Sequence, residues 1–386
     1  MKNVSVTNCK AHNSAIDLLR FVMCLAIVAH HFYLTNMPAP SPFIFNGAWI
    51  LTEAFFILSG VFMAESCPTV LKGGMREVIT DSARYIFKKV SKIYPYFFTA
   101  FVIEFFAKEI LSKEPLVNIF KQFVNSIWTL LLVYMLGFHD CGFMGVTWYI
   151  SAMLIAMAFL YPLIRTSKTV FTNIIAPVIV LIAYISCDMY SGGNMLGTGN
   201  PRQWMGVCYT GTMRAFGGIA LGVMVWSASK CLSDRVVVHG PKRIALTALE
   251  VAGYAGVIYR VIFPVEGKES FPLIIALAAL IALTKSNITY SGYLPERLCR
   301  YLGRLSLSVY LCQLTAVFLI WYIANNPWGG VLLPVGDYHA LLLWYIVLTV
   351  ILGIVVDVGV TAILKKRKKL KRLGIGESRD GQHNYS

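Results

Sequence analysis

The chain has 386 residues, of which 57% are hydrophobic and only 14% are charged, and its mean hydropathy is +0.65. Soluble domains usually carry about 25% charged residues, so this composition excludes an ordinary soluble enzyme. The formal net charge is +15, which on so apolar a chain indicates loops at an anionic membrane surface rather than a nucleic-acid-binding protein. The chain is therefore predicted to be an all-α polytopic membrane protein.

Apolar stretches of about 20 residues, the length that crosses a hydrocarbon core, recur along the chain. They do not alternate apolar and polar residues as barrel strands do, so helices are predicted. The ten predicted spans are 16–34, 46–65, 93–112, 146–165, 170–188, 207–228, 243–263, 271–286, 300–324 and 340–364. The stretch near 116–137 is predicted to be re-entrant or interfacial, because counting it as a crossing inverts every later span.

The basic residues decide the predicted orientation. With 116–137 left out, nearly all lysines and arginines between spans fall on one side, and the opposite loops at 32–45, 189–206, 264–270 and 325–339 hold only Arg202 and Lys268. By the positive-inside rule, ten spans with both termini in the cytoplasm is the consistent solution. We predict a multi-pass domain of the cell membrane over 1–364 and a basic cytoplasmic tail over 365–386.

Nine cysteines are scattered without a C-x-x-C pair or a paired histidine spacing, so no zinc site and no disulfide framework is expected. Most of them are interpreted as small apolar residues within helices. The chain is accordingly expected to work without a metal.

Charged side chains within spans are expensive in lipid and are candidate functional residues. The first span carries Asp17, Arg20, His30 and His31. Arg20 and His31 are eleven residues apart, which on a helix places them within about 20° of one face and ~16 Å apart. They are predicted to face one cavity, although each taken singly also fits a position at the membrane interface. Asp17, one turn before Arg20, is its predicted partner.

The second span supplies a carboxylate, Glu53, about two turns from its outer end. His31 lies at a similar predicted depth in the adjacent span and is the predicted partner of Glu53. A carboxylate that holds one ring nitrogen fixes the tautomer and leaves the other nitrogen as a base. The alternative is that Glu53 bonds a neighbouring backbone or hydroxyl group.

Three motifs stand in order along the first hundred residues. Arg20 is followed after ten residues by His31, Glu53 is followed by FFILSG at 55–60, and a basic cluster leads into Ile-x-Pro. That cluster contains Lys88, Lys89, Lys92, Ile93 and Pro95. This set resembles the acyltransferase 3 family, integral membrane proteins that are mostly O-acetyltransferases of bacterial cell-surface glycans.

Softer matches extend the resemblance along nearly the whole chain. They are Trp148 at the start of the fourth span, RAFGGIALG at 214–222 and LGRLSLSVYLCQ at 302–313. Two positions depart from the family pattern. Gln313 stands where members often carry His, and Met153 stands where many carry Glu, so His31 and Glu53 remain the clear acid–base pair.

The resemblance implies an acyl-CoA donor, most often acetyl-CoA, and a hydroxyl of a surface polysaccharide or lipid-linked glycan as acceptor. His31 is then the expected general base, oriented by Glu53. The candidates for the oxyanion donor are Ser59, Tyr149, Arg214 and Gln313, of which Arg214, about two turns inside its span, is the best. The CoA phosphates are expected at the basic residues Arg20, Lys88, Lys89 and Lys92. Further substrate contacts are expected from Trp148, Tyr149 and Gln313. Membrane lipids are the other expected partner.

Several alternatives stay open at this point. An acyl-enzyme on His31, or a relay through Cys24 on the same helix face, is compatible with the sequence. A transporter or lipid flippase using the same intramembrane charges is the main rival, although the halves show no internal symmetry. A non-enzymatic partner in a glycan-export complex is the third reading.

Overall fold

The computed structural model describes residues 13–35, 44–68, 74–137, 144–191, 203–204, 206–263, 270–326, 329–334 and 336–372. The long α-helices are α1 (Ser14–His30), α2 (Leu51–Ser66), α3 (Met75–Ser112), α6 (Trp148–Thr166), α8 (Ala176–Ser191), α9 (Thr210–Arg235), α10 (Pro241–Ile262), α11 (Ser270–Lys285), α12 (Glu296–Ala324) and α14 (Tyr338–Arg372). The shorter ones are α4 (Leu116–Asn125), α5 (Ile127–Leu130), α7 (Lys168–Val170) and α13 (Gly329–Leu332).

Short non-α segments extend or join these helices. They are 3-10 turns at His31–Thr35, Asn46–Ile50, Tyr134–Leu136, Gly145–Thr147 and Tyr290–Tyr293, and a π-helix at Phe171–Ile175. Strands β1 (Gln203–Trp204) and β2 (Cys208–Tyr209) form one antiparallel pair before α9. The prediction of an all-α membrane protein is confirmed.

Nine helical segments within the described ranges are long and apolar enough to cross a membrane. They coincide with nine of the ten predicted spans. The remaining predicted span, 271–286, is found as α11, an apolar helix of 16 residues. The described part of this helix covers ~24 Å of a hydrocarbon core of ~30 Å.

Two helices extend farthest beyond the predicted spans. The third was predicted over 93–112, but α3 begins at Met75 and has 38 residues. The last was predicted to end at 364, but α14 continues through the basic residues to Arg372. The reason is the same in both cases. Lysine and arginine lower the local hydropathy but are good helix formers, so the apolar run ends before the helix does.

The stretch 116–137 is broken into α4, with ten residues, α5, with four, and the turn Tyr134–Leu136. None of these is long enough to cross, as predicted. Helix α4 carries apolar side chains on one exposed face, including Leu116 and Phe120, and polar ones such as Asn118 and Lys121 on the opposite face. This pattern is typical of a helix that lies in the membrane interface.

The core of the bundle forms where α2 packs against α9. A Cβ on Gly222 would overlap the carbonyl oxygen of Ile57 and stand 2.8 Å from the Gly60 Cα. A Cβ on Gly60 would overlap the carbonyl oxygen of Ile219 in the same way. The two backbones are therefore in contact, which only glycine permits. This explains why FFILSG and RAFGGIALG both contain glycine at these positions.

We expect Gly222→Ala to destabilise the protein by about 1–3 kcal/mol, because the added methyl group forces α2 and α9 apart. Gly256→Ala is the matched control, since a Cβ there meets nothing within 4 Å. It is expected to be neutral or slightly stabilising. Thermal unfolding of the purified variants in detergent measures the difference. Equal melting temperatures for the two variants would contradict the close packing.

Candidate active site between α1, α2, α3, α6 and α12

A cavity of about 210 Å³ lies among these five helices. Arg20, Lys89 and Lys92 line one end of it, which we call the basic end. Its wall continues through apolar side chains and the hydroxyl residues Ser59, Tyr149, Tyr310 and Ser306 to Thr52 and Ile27. Ile27 lies one helical turn before His31 on α1. The cavity therefore extends from three cations to a point one helical turn before His31, and this we call the His31 end. His31 and Gln313 are not among the described residues that line it.

The basic end contains most of the predicted cation set. Arg20 Nη1 pairs with Asp17 Oδ1 at 3.3 Å, so the predicted partnership one turn apart is present. Lys89 and Lys92 lie on the face of α3 that lines the cavity, whereas Lys88 is exposed and lies outside its wall. Gly303 allows α12 to approach here, because a Cβ on it would stand 2.6 Å from Asp17 Oδ1.

The middle of the cavity has one pair of hydroxyl groups. Ser59 Oγ and Tyr149 Oη are 3.2 Å apart, and Ser59 Oγ also lies 3.3 Å from Met153 Sδ. Tyr310 donates its hydroxyl to the Val146 carbonyl, and Thr52 donates to the Trp49 carbonyl at 2.6 Å. Ser59 donates its single hydroxyl proton to Met153 Sδ, so Tyr149 is the donor in its contact with Ser59.

His31 is held by Gln313, not by a carboxylate. His31 Nδ1 lies 2.8 Å from Gln313 Oε1, and Gln313 Nε2 donates to the Tyr310 carbonyl at 2.8 Å. A carbonyl only accepts, so the amide nitrogen must face Tyr310 and the amide oxygen must face His31. The proton of the neutral ring is therefore on Nδ1. Nε2 is then the unprotonated ring nitrogen, and it is the one that can act as a base.

The predicted pairing of Glu53 with His31 is wrong. Glu53 is fully buried, and it accepts from Arg214 Nε at 2.7 Å and from the Tyr184 hydroxyl at 2.6 Å. The physical reason is helical rotation. Thr52 lines the cavity, and the next residue on α2 points about 100° farther round the helix. That direction faces α8 and α9 instead of α1.

Arg214 belongs to the same buried cluster. Its Nη2 donates to Thr52 Oγ1 at 2.6 Å, and its guanidinium carbon lies 5.0 Å from the centre of the Trp148 ring. Arg214 and Trp148 do not line the cavity. The predicted roles of Arg214 as oxyanion donor and Trp148 as substrate contact therefore gain no geometric support, whereas Tyr149 does line the cavity. Through Thr52 the cluster fixes the cavity wall.

Sequence reasoning missed Tyr184. The only indication of Tyr184 in the sequence is that it places a hydroxyl group within the apolar span 170–188, where a buried hydroxyl group needs a partner. Cys24, the possible acyl relay, is fully buried with its Sγ 3.2 Å from the Ser306 carbonyl, and it does not line the cavity. Within the described residues, no three His, Cys, Asp or Glu side chains form a group able to hold a metal ion.

The comparisons with known proteins agree with the ordered motifs. A model of the acyltransferase 3 type, described as an acyltransferase domain, matches residues 13–358. Comparisons with curated proteins and with solved structures gave no match. The matched range begins just before α1 and ends within α14, so it contains the cavity, the buried cluster and His31. The chain belongs to the acyltransferase 3 family.

Proposed function

We propose that the protein transfers an acetyl group from cytoplasmic acetyl-CoA to a hydroxyl group of a glycan on the outer side of the cell membrane. The observation that supports this proposal is the cavity that extends from Arg20, Lys89 and Lys92 to Ile27, one helical turn before His31. Three cations suit the phosphates of CoA, and the positive-inside rule favours the cytoplasm for this end. The ~16 Å between Arg20 and His31 is of the order of an extended pantetheine arm.

The chemistry follows from the tautomer of His31. Nε2 takes the proton from the acceptor hydroxyl as its oxygen attacks the thioester carbonyl. The resulting intermediate collapses, the carbon–sulfur bond breaks, and the CoA thiolate leaves and takes the proton back from the imidazolium. Gln313 Oε1 accepts from Nδ1–H and holds the ring in place through both states. The Tyr149 hydroxyl lies on the cavity wall, and its proton can turn from the Ser59 oxygen to a carbonyl of the bound acyl-CoA.

Arg20→Ala is expected to raise the KM for acetyl-CoA about tenfold to hundredfold, since a charge-assisted hydrogen bond contributes ~1.5–3 kcal/mol. The KM for S-acetyl-pantetheine, which has no CoA phosphates, should not change. Steady-state CoA or pantetheine release by purified, reconstituted protein measures both. Lys88→Ala is the matched control, because Lys88 is exposed and outside the cavity. An equal effect of Arg20→Ala on both donors would contradict phosphate binding at the basic end.

A further inference from the structure

A buried carboxylate on α10 lies outside the candidate active site. Glu250 falls within the apolar run 243–263, and only 2% of its surface is exposed. Within the described part of the chain it forms no ion pair. Arg243, two turns earlier on the same helix, donates to the Thr289 carbonyl and lies over two tyrosine rings instead. A charged group at such a position in a membrane protein needs a partner, so Glu250 is a candidate site of its own.

Hydroxyl groups from α10, α11 and the segment after α11 lie around this carboxylate. Thr284 Oγ1, near the end of α11, and Ser291 Oγ lie 2.5 and 3.1 Å from Glu250 Oε1. Each is joined to a further hydroxyl group at 2.8 Å, Thr284 to Tyr254 and Ser291 to Thr289. We call these five residues the Glu250 cluster. They offer two carboxylate oxygens and four hydroxyl oxygens.

One oxygen of the carboxylate is left over. Oε2 of Glu250 is buried and has no hydrogen-bond partner among the described residues, whereas the two nearest hydroxyl groups meet Oε1. A water molecule that donates to Oε2 leaves the negative charge uncompensated, which is costly in a buried position. A bound cation satisfies the oxygen and the charge together.

The ligands of the Glu250 cluster select the kind of cation. Carboxylate and hydroxyl oxygens are hard ligands, and a single carboxylate balances a single positive charge, so a divalent ion would leave a surplus charge buried. Thr284 lies in the last turn of α11, where the partial negative charge of the helix end adds to the attraction. The oxygen spacings of 2.5 to 3.1 Å suit Na⁺ better than the larger K⁺. Such a site needs no group of His, Cys and acidic side chains.

We propose that the Glu250 cluster binds a sodium ion. Thr284 links this site to the first helix, because its carbonyl accepts from Asn13 Nδ2 at 2.8 Å while Asn13 Oδ1 caps α1 at the Ile16 amide. The ion therefore joins α10 to α11 and steadies the start of the helix that carries Arg20. The inference goes beyond acetyl transfer and does not depend on it.

Thermal unfolding of the purified, full-length protein in detergent tests this inference, with NaCl, KCl and choline chloride compared at constant ionic strength. We expect Na⁺ to raise the melting temperature saturably by about 2–4 °C relative to the other two cations. Equilibrium binding of radiolabelled Na⁺ should saturate at one ion per chain. Ser291→Ala, which removes one ligand, should raise the half-saturating Na⁺ concentration about tenfold.

Glu250→Gln separates an ion site from a carboxyl group that is only hydrogen-bonded. The amide keeps the shape of the side chain and removes its charge, so Na⁺ binding and the Na⁺ response should both vanish. In choline chloride the variant should melt at or above the temperature of the wild type, because it has no unpaired buried charge. Glu77→Gln, at an exposed carboxylate on α3, is the matched control and should keep both properties.

Two results would overturn the inference. One is the absence of saturable Na⁺ binding to the wild type, or its equal stabilisation by Na⁺, K⁺ and choline. The other is a Na⁺ response that persists in Glu250→Gln, which places the ion elsewhere. These measurements require neither acyl-CoA nor turnover. A protein that binds Na⁺ but releases no CoA therefore refutes the proposed function alone, and CoA release without Na⁺ binding refutes this inference alone.

Discussion

His31→Ala is expected to lower the rate of CoA release from acetyl-CoA by about 10²- to 10⁴-fold, the range typical for loss of a positioned general base. Acetyl-CoA binding should persist, because Arg20, Lys89 and Lys92 at the other end of the cavity are unchanged. His239→Ala is the matched control, since His239 lies on an exposed segment between α9 and α10. Single-turnover kinetics with labelled acetyl-CoA separate the chemical step from binding.

Variants of Gln313 test whether His31 acts as the general base or has a purely structural role. Gln313→Leu removes the acceptor of Nδ1–H, so kcat should fall by about 10²-fold while the KM for acetyl-CoA stays constant. Gln313→Glu keeps an oxygen at that position and should recover part of the lost rate. A rise in KM without a fall in kcat for Gln313→Leu would show that Gln313 does not position the ring.

Arg214→Met is expected to destabilise the protein by about 3–5 kcal/mol, because it leaves the fully buried Glu53 without its cation. Glu53→Leu should be destabilising for the converse reason. The double variant Glu53→Leu/Arg214→Met removes both charges and should be more stable than either single variant. Thermal unfolding of the purified proteins gives the three values and completes a double-mutant cycle.

The same double variant tests what the buried cluster does. If Arg214 and Glu53 only fix the cavity wall, through Thr52, and do not contact the substrate, the folded double variant should retain measurable CoA release. The folded His31→Ala variant should not. A double variant that is as stable as the wild type but wholly inactive would indicate that Arg214 acts as the oxyanion donor. Destabilisation equal to the sum of the two single variants would contradict the ion pair itself.

Much of this fold follows from hydropathy and charge. Runs of apolar residues identify the spans, and the placement of lysine and arginine excludes 116–137 as a crossing. Helix ends are less predictable where the sequence turns basic, as at Met75 and Arg372, because hydropathy and helix propensity then disagree. The bounds of α11 were predictable to within one residue, because Glu269 and Lys285 mark the ends of its apolar run.

The sequence predicted the Asp17–Arg20 pair within one helix, but not the partners that Glu53 and His31 find on other helices. The spacing of Arg20 and His31 identifies a shared face, since it depends on one helix alone. Which side chain Glu53 meets depends on the rotation of α2 against three neighbours, and the sequence contains no information on that rotation. Their similar depth in the membrane led to the prediction that Glu53 pairs with His31. The close contact between α2 and α9 at Gly60 and Gly222 instead turns Glu53 toward Arg214. Gln313 then takes the position beside His31.

The most direct test of the proposed function is CoA release from acetyl-CoA by the wild-type protein, purified and reconstituted in lipid vesicles. The account predicts saturable release that continues slowly without a glycan acceptor, is competed by free CoA and disappears in His31→Ala but not in His239→Ala. Folded wild-type protein that neither binds nor turns over any acyl-CoA would contradict the proposed function, because acyl-CoA would not be the donor. The intramembrane charges would then have to be explained by transport, which counterflow of a labelled substrate across the same vesicles measures.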